Sequence, residues 1–393
     1  MKKRILYFFI IILVLTIIFS ALPIFIQEGS AENDFSKQVG QVSYNITEKA
    51  DLSVTAVRSV LIEANSGSIL YGNKEFEQAG MASTTKIMTA LVVINTIPLD
   101  NVVAVPKEAV GVEGSSLYLT VGERLTVKEL LYGLLLESGN DCAVALAVIT
   151  SGNVKAFVEK MNQKAAEMGL KDTHFTNPHG LSDQNHYTSA YSLALITAEA
   201  LKNETFKQIV STKQTFISRG GEPNLRCLTN HNRLLFSYSG MIGVKTGYTI
   251  ATGRCLVTAA ERDGVILIAV TLNDRNDWAS HRNMLDYGYS KYESVTLAEE
   301  GKIRVTVPVT GGLTSLVNAT NNEGAVAFLE KGSAFNCKII TPHFLYAPVK
   351  IGDTVGYAEY YNTDGELFYR LPLIATENVE IKRLSFLEKL FSD

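Results

Sequence analysis

Hydrophobic and polar positions divide the chain into blocks of different period. Lys2-Lys3-Arg4 precedes an apolar run from Ile5 to Phe19 that continues past Ser20 and Pro23 to Ile26, and Gly29-Ser30-Ala31 leads into a polar stretch. A charged head, an apolar middle and small residues are the order of a secretory signal, so residues 1–31 read as a signal peptide. Counted through Ile26, the same run nears the roughly 20 residues that span a bilayer, which keeps an N-terminal anchor open. Either way the remainder is expected to be exported. Residues 32–51 read as a polar tether.

Beyond the tether the period shortens to two. Ser59 to Glu63 and Ser68 to Tyr71 are β-rich runs joined by Asn65-Ser66-Gly67, which predicts a hairpin. After Gly80 the spacing becomes helical: Ile87, Leu91, Val92 and Ile94 share a run without Gly or Pro, and Ser83 and Thr84 stand at its start as caps. Apolar residues recurring at three or four predict further helices near 127–137, 141–150, 153–168 and 188–202, the last opening on Thr188-Ser189. From Gly243 strands return. Cys255 to Ala259 and Val265 to Val270 flank Arg262-Asp263-Gly264, and their unbroken apolar runs predict a central, doubly covered hairpin.

This order predicts an α/β (α+β) domain over 52–293. Residues 295–376 differ, with short Val- and Ile-rich runs punctuated by Gly311-Gly312, Asn321-Asn322-Glu323-Gly324 and Gly352-Asp353, which reads as a small all-β domain. Residues 377–393 read as an amphipathic C-terminal helix: Ile381, Leu384, Leu387, Leu390 and Phe391 gather on one side, with Lys382 and Lys389 opposite. Such a helix docks on the β-domain or lies on a membrane surface.

The 393 residues carry 36 Lys+Arg against 40 Asp+Glu, a net charge of −4, so no general electrostatic case exists for nucleic acid. With 46% hydrophobic residues, collagen-like and disordered readings fall away. Cys142, Cys227, Cys255 and Cys337 lie far apart with no C-x-x-C pair, and read as small core residues or, in an oxidising compartment, one or two bridges.

Three short motifs carry chemistry. Ser83-Thr84-Thr85-Lys86 heads a predicted helix, and a spacing of three places the amine within reach of the hydroxyl. A serine needs a base, and a lysine serves as one when burial or a neighbouring cation lowers its pKa. Alone, S-x-x-K should arise about once or twice by chance in such a chain. Ser138-Gly139-Asn140 falls between two predicted helices, where a loop can present a hydroxyl and an amide to a cleft. Ser151-Gly152-Asn153 repeats the tripeptide but reads as a helix-to-helix turn and cap, and Ser43-Tyr44-Asn45 lies in the tether, ahead of Ser83. Lys245-Thr246-Gly247, expected by chance in roughly one such chain in ten, opens the buried hairpin, where Gly lets a ligand or backbone approach closely.

S-x-x-K, S-x-N and K-T-G in this order form the active-site set of penicillin-binding proteins and serine β-lactamases. The chain resembles the secreted low-molecular-mass serine D-alanyl-D-alanine carboxypeptidases from about Leu52 to Tyr292, and more weakly beyond. Ile62 to Gly67, Ser138-Gly139-Asn140-Asp141, Asn177-Pro178-His179-Gly180-Leu181, Asn232-Arg233-Leu234-Leu235 and Lys245-Thr246-Gly247-Tyr248-Thr249 carry the likeness, and Asp141-Cys142-Ala143 selects Ser138 over Ser151.

The resemblance implies a β-lactamase/transpeptidase-like domain, an antiparallel sheet flanked by helices, with a β-rich C-terminal domain. It implies Ser83 as nucleophile, Lys86 as its base with Lys245 helping to keep it neutral, and Ser138 as a relay to the leaving amine. It further implies Asn140 on both the substrate amide and Lys86, Lys245 and Thr246 at the terminal carboxylate, Gly247 and Tyr248 among the substrate-binding residues, and Ser83 and Tyr248 N–H groups as oxyanion hole. The implied partners are a peptidoglycan stem peptide ending in D-Ala-D-Ala and β-lactams, at the outer face of a bacterial membrane, with no cofactor.

Two positions depart from relatives. Tyr248 stands where many have His, and Asp277 stands where some place an arginine on the carboxylate, leaving Arg275 or Arg282 as substitutes. His174, His179 and His186 lack helical metal-ligand spacing and read as loop hydrogen-bonders, and Glu137 as a cap or a solvated side chain. A β-lactamase is the nearest rival reading, though no clear glutamate for deacylation lies between Ser151 and Tyr187. A non-catalytic penicillin-binding sensor or scaffold is the other.

Overall fold

The computed structural model describes residues 52–219 and 225–383. The expected signal or anchor, the tether, and residues 384–393 of the expected terminal helix lie outside them.

In chain order the first part contains β1 (Arg58–Glu63), β2 (Ile69–Asn73), α1 (Lys86–Ile94), the short pair β3 (Val102–Ala104) and β4 (Arg124–Thr126), α2 (Val127–Leu136), α3 (Asn140–Ser151), α4 (Val154–Glu167), α5 (Ala190–Leu201), α6 (Glu204–Ser211), a hairpin of β5 (Gln214–Ser218) and β6 (Leu225–Thr229), then β7 (Met241–Thr249), β8 (Gly253–Arg262), β9 (Val265–Leu272) and α7 (Asp277–Lys291). The main sheet has the order β2-β1-β9-β8-β7, with every neighbouring pair antiparallel. β8 and β9 occupy interior positions, which is why their apolar runs are unbroken. Helix α5 lies against β1 and β9 and α6 against β7, while α7 closes the other face over β8 and β9. Val60 and Ile62 accordingly point into one core, and Leu61 into the other.

Local chemistry explains the joints. Asp263 and Gly264 both have positive φ, 50° and 79°, as a two-residue hairpin turn requires. Between β1 and β2, the Glu63 carboxylate accepts hydrogen bonds from the N–H groups of Asn65 and Ser66. Thr126 and Glu129 form a capping box on α2, and Asn153, Ser189 and Asn203 cap α4, α5 and α6. Ser151-Gly152-Asn153 is thus the turn expected of it, with Gly152 left-handed at φ 80°.

The second part contains β10 (Tyr292–Ala298), β11 (Arg304–Thr310), β12 (Leu316–Thr320), β13 (Ala325–Glu330), β14 (Phe335–Ile340), β15 (Leu345–Tyr346), β16 (Thr354–Asn362) and β17 (Leu367–Ala375). They form a six-stranded sheet, β14-β16-β17-β12-β11-β15, and the pair β10-β13. α7 runs directly into β10, and Tyr292 stacks on Phe328 at 5.8 Å between ring centroids.

Two expectations are corrected here. Residues 377–383 are extended rather than helical: Val379 bridges Val349 and Ile381 bridges Gly312, so this stretch is pinned to the β-sheet by backbone hydrogen bonds. Cys142 and Cys255 are core residues, but Cys227 and Cys337 are exposed, because they lie on the outward faces of β6 and β14; all four are free thiols.

Candidate active site

The turn that carries Ser83 lies where the helical block meets the edge strand β7. Residues Ala82–Thr85 form a single 3-10 turn and α1 begins only at Lys86, so Ser83 and Thr84 do not act as side-chain caps. Thr84 Oγ1 donates to the Met81 carbonyl (2.5 Å) and Thr85 Oγ1 to the Ala82 carbonyl (2.8 Å). Ala82 sits at φ 47°, a costly conformation for an alanine that the surrounding contacts must impose. Gly247 of β7 approaches so closely that a Cβ there would stand 3.0 Å from Ser83 N. Gly180, at φ 93°, presses from the opposite side: its Cβ would fall 1.9 Å from the Ala82 carbonyl oxygen.

Lys86 is fully buried, with Nζ 2.9 Å from Ser83 Oγ, 2.7 Å from Asn140 Oδ1 and 2.7 Å from the His179 carbonyl oxygen. A neutral amine has two N–H bonds and one lone pair. Two of these neighbours are pure acceptors, so they take the two N–H groups and the lone pair is left facing the serine hydroxyl. Burial, and then the charge of Lys245, hold the Lys86 pKa well below the ordinary lysine value. Burial likewise lowers Lys245 to about 7, against an opposing pull from Glu137.

Ser138 and Asn140 stand at the joint between α2 and α3. Ser138 has φ 63°, in the left-handed region that usually favours glycine after a helix, which points its side chain into the cleft at a conformational cost. Asn140 is clamped at both ends, its Nδ2 donating to the Glu113 carbonyl (2.6 Å) while Oδ1 accepts from Lys86. Asp141 is buried and accepts from Ser116 Oγ (2.6 Å) and Leu119 N–H (3.1 Å), which fastens the 115–119 loop to α3.

Ser83, Ser138, Thr246, Gly247 and Tyr248 line one cleft of about 360 Å³. All eight motif residues therefore converge, with Lys86, Asn140 and Lys245 buried around it. The arginine expectation is corrected: Arg275 is exposed and does not line the cleft, and Arg282 binds the Ser237 carbonyl and stacks on Tyr238. Two guanidiniums among the described residues line the cleft, Arg233 and Arg254, and Arg254 lies on β8 beside Tyr248. Asp277 holds it through two bonds of 3.0 Å, and the Trp278 ring lies 5.9 Å from it. Glu137 occupies the C-cap position of α2, and its carboxylate accepts from Thr229 N–H (2.6 Å) and pairs with His231, another cleft residue (3.2 Å).

The loop histidines serve as hydrogen-bonders. His174 Nδ1 meets the Asn185 carbonyl, and His179 Nδ1 accepts from Leu181 N–H. Buried His186, lowered to about 4 chiefly by burial, is neutral; its Nδ1 accepts from Thr176 N–H and its Nε2 donates to Thr85 Oγ1, two residues past Ser83.

A profile of the D-alanyl-D-alanine carboxypeptidase family matches residues 45–276, and one of the penicillin-binding protein 5 C-terminal domain matches 292–381. The chain is 34% identical over 377 residues to the D-alanyl-D-alanine carboxypeptidase DacF of Bacillus subtilis, covering 92% of this chain and 94% of that protein. It is 31% identical to DacC of Escherichia coli, covering 84% and 85%. The structure of penicillin-binding protein 5 from Haemophilus influenzae aligns with a TM-score of 0.75 at 29% identity, over 86% of this chain and all of that one. The buried lysine on its serine, the clamped asparagine and the K-T-G edge strand thus have a lineage: the chain belongs to the serine-type D-alanyl-D-alanine carboxypeptidases, peptidase family S11.

Proposed function

We propose that the protein removes the terminal D-alanine from peptidoglycan pentapeptides through an acyl-enzyme on Ser83. The observation that carries this is the Lys86 amine, buried and 2.9 Å from Ser83 Oγ with both N–H groups occupied by carbonyl oxygens. Lys86 takes the hydroxyl proton as Ser83 Oγ bonds to the carbonyl carbon of the penultimate D-alanine. Backbone N–H groups of Ser83 and Tyr248 stabilise the oxyanion, and the close packing at Gly247 supports their convergence. The C–N bond to the terminal D-alanine then breaks, and Ser138 passes the proton to the leaving amine. Water attacks the ester, regenerating Ser83 and releasing a peptide one residue shorter. Asn140 positions the substrate amide; Lys245, Thr246 and Arg254 receive the terminal carboxylate. β-Lactams enter as mimics whose acyl-enzymes persist.

The N-terminal pattern supports export to the outer face of the cytoplasmic membrane, and the two family matches support a peptidase domain over 52–293 with a β-rich domain over 295–376. The test is release of free D-alanine from a pentapeptide ending in D-Ala-D-Ala, by the parent and by Ser83→Ala. Release by the parent alone is expected. Release by neither, from a parent that is still acylated by penicillin, transfers the protein to a sensor or β-lactamase role.

A further inference from the structure

Ser138 does not hold itself in the cleft. It follows α2 at φ 63°, where any side chain carries a conformational cost, so the placing of its hydroxyl depends on what fastens the joint on either side. Two of those fastenings are backbone bonds: Gly139 N–H donates to the Gly133 carbonyl (3.1 Å) and Asn140 N–H to the Ser115 carbonyl (2.7 Å). The third is a side chain. Glu137, immediately before Ser138, sends its carboxylate across to the end of β6, where Oε1 accepts from Thr229 N–H (2.6 Å) and Oε2 stands 3.2 Å from His231 Nε2.

What Glu137 grips is itself held. Between Thr229 and His231 stands buried Asn230, with Nδ2 donating to the Val210 (3.0 Å) and Thr212 (3.2 Å) carbonyls and Oδ1 accepting from Asn232 N–H (2.9 Å). Buried Asn232 accepts in turn from Leu234 N–H (3.0 Å). The segment is thereby tied to α6 and to the turn before β7, and His231 and Ser138 line the same cleft. Glu137 thus fastens one wall of the cleft to another. The grip on Thr229 needs an acceptor oxygen rather than a charge; the charge acts elsewhere, on Lys245.

We propose that Glu137 is a positioning residue, which by tying the α2–α3 joint to Thr229 and His231 holds the Ser138 hydroxyl where it can pass the proton to the leaving amine. The proposal rests on the Ser138 relay in the carboxypeptidase reading above. The test compares full chains carrying Glu137→Gln, which keeps the acceptor and loses the charge, and Glu137→Asp, which keeps the charge and falls one methylene short. Penicillin needs the same proton at its lactam nitrogen, so the readout is the limiting acylation rate at saturating penicillin, with thermal unfolding as fold control. Glu137→Asp is expected to lose at least about tenfold in that rate, as a displaced catalytic group does, with the half-saturating concentration changed by less than about twofold. Glu137→Gln should stay within about twofold of the unmodified rate. Glu137→Ala should fall with Glu137→Asp, and where either fails to fold the other carries the comparison. An unmodified rate in the shortened variants, or a loss in Glu137→Gln as large as theirs, overturns the clamp. Release of D-alanine from a pentapeptide by the unmodified chain reads the enzyme separately. No release from a chain that still acylates overturns the carboxypeptidase reading and leaves the clamp to the acylation rates; a chain that does neither overturns both.

Discussion

Lys86 and Lys245 are both buried in one cleft, yet their surroundings give them different work. Lys86 faces two carbonyl acceptors and a hydroxyl, the environment of a neutral base; Lys245 Nζ meets the Thr246 carbonyl at 2.9 Å and sits near 7, on the edge of losing its charge. Below that value Lys245 attracts a carboxylate, and above it the attraction fades. KM for a carboxylate-terminated peptide should therefore rise between about pH 6 and about pH 8; a flat or falling profile would remove Lys245 from carboxylate binding. Arg254→Gln should raise KM roughly tenfold with kcat little changed, in keeping with the loss of a charge-assisted hydrogen bond. A variant with unaltered KM would leave Arg254 a structural partner of Asp277 only. The serine, its lysine and the K-T-G triplet were legible in sequence because their chemistry imposes short fixed spacings. Arg254 was not, because it meets Asp277 across a strand and a helix 23 residues apart, a distance no local pattern records.

At the scale of elements, reactivity depends on how tightly α1's leading turn is gripped. β7 presses on it through Gly247, the 177–182 loop through Gly180, and His186 reaches it through Thr85. Gly180 is the stringent position, because the clash a Cβ would make is with backbone and φ 93° already disfavours any side chain. Gly180→Ala should slow acylation by penicillin at least about 100-fold by displacing the nucleophile, and destabilise the fold by on the order of 2–4 kcal/mol. A normal acylation rate would show that the loop yields and the grip is not required. Helices with a clear apolar stripe and a capping residue, such as α2 and α5, lay within reach of sequence reading. The start of α1 did not, because Ser83 and Thr84 look like caps while the backbone there is bent by tertiary contacts. The hairpin β5-β6, only half-buried, gives too weak an alternation to stand out.

Across the whole molecule, the change from helical to short β-rich patterning near residue 295 marked the change of architecture, because each part fills its own core. The five-stranded sheet and its helices bury two clusters on its faces, and the C-terminal strands bury two others. Among the described residues, what joins them includes the α7-to-β10 continuation, the Tyr292–Phe328 stack, the Lys291–Glu330 ion pair (3.5 Å), and Lys331, which donates from its backbone N–H to the Lys291 carbonyl and from Nζ to the Tyr289 and Ser290 carbonyls. The extended course of 377–383 escaped sequence reading, since its apolar residues alternate too briefly to separate a strand from the head of an amphipathic helix. Separate cores should unfold separately. A penicillin adduct on Ser83 adds contacts only to the folded peptidase part, so scanning calorimetry should show two transitions, of which acylation raises one by about 4 °C and leaves the other in place. Ser83→Ala treated alike should show no shift. A single transition moving as a whole would mean that the junction couples the β-rich part to the nucleophile.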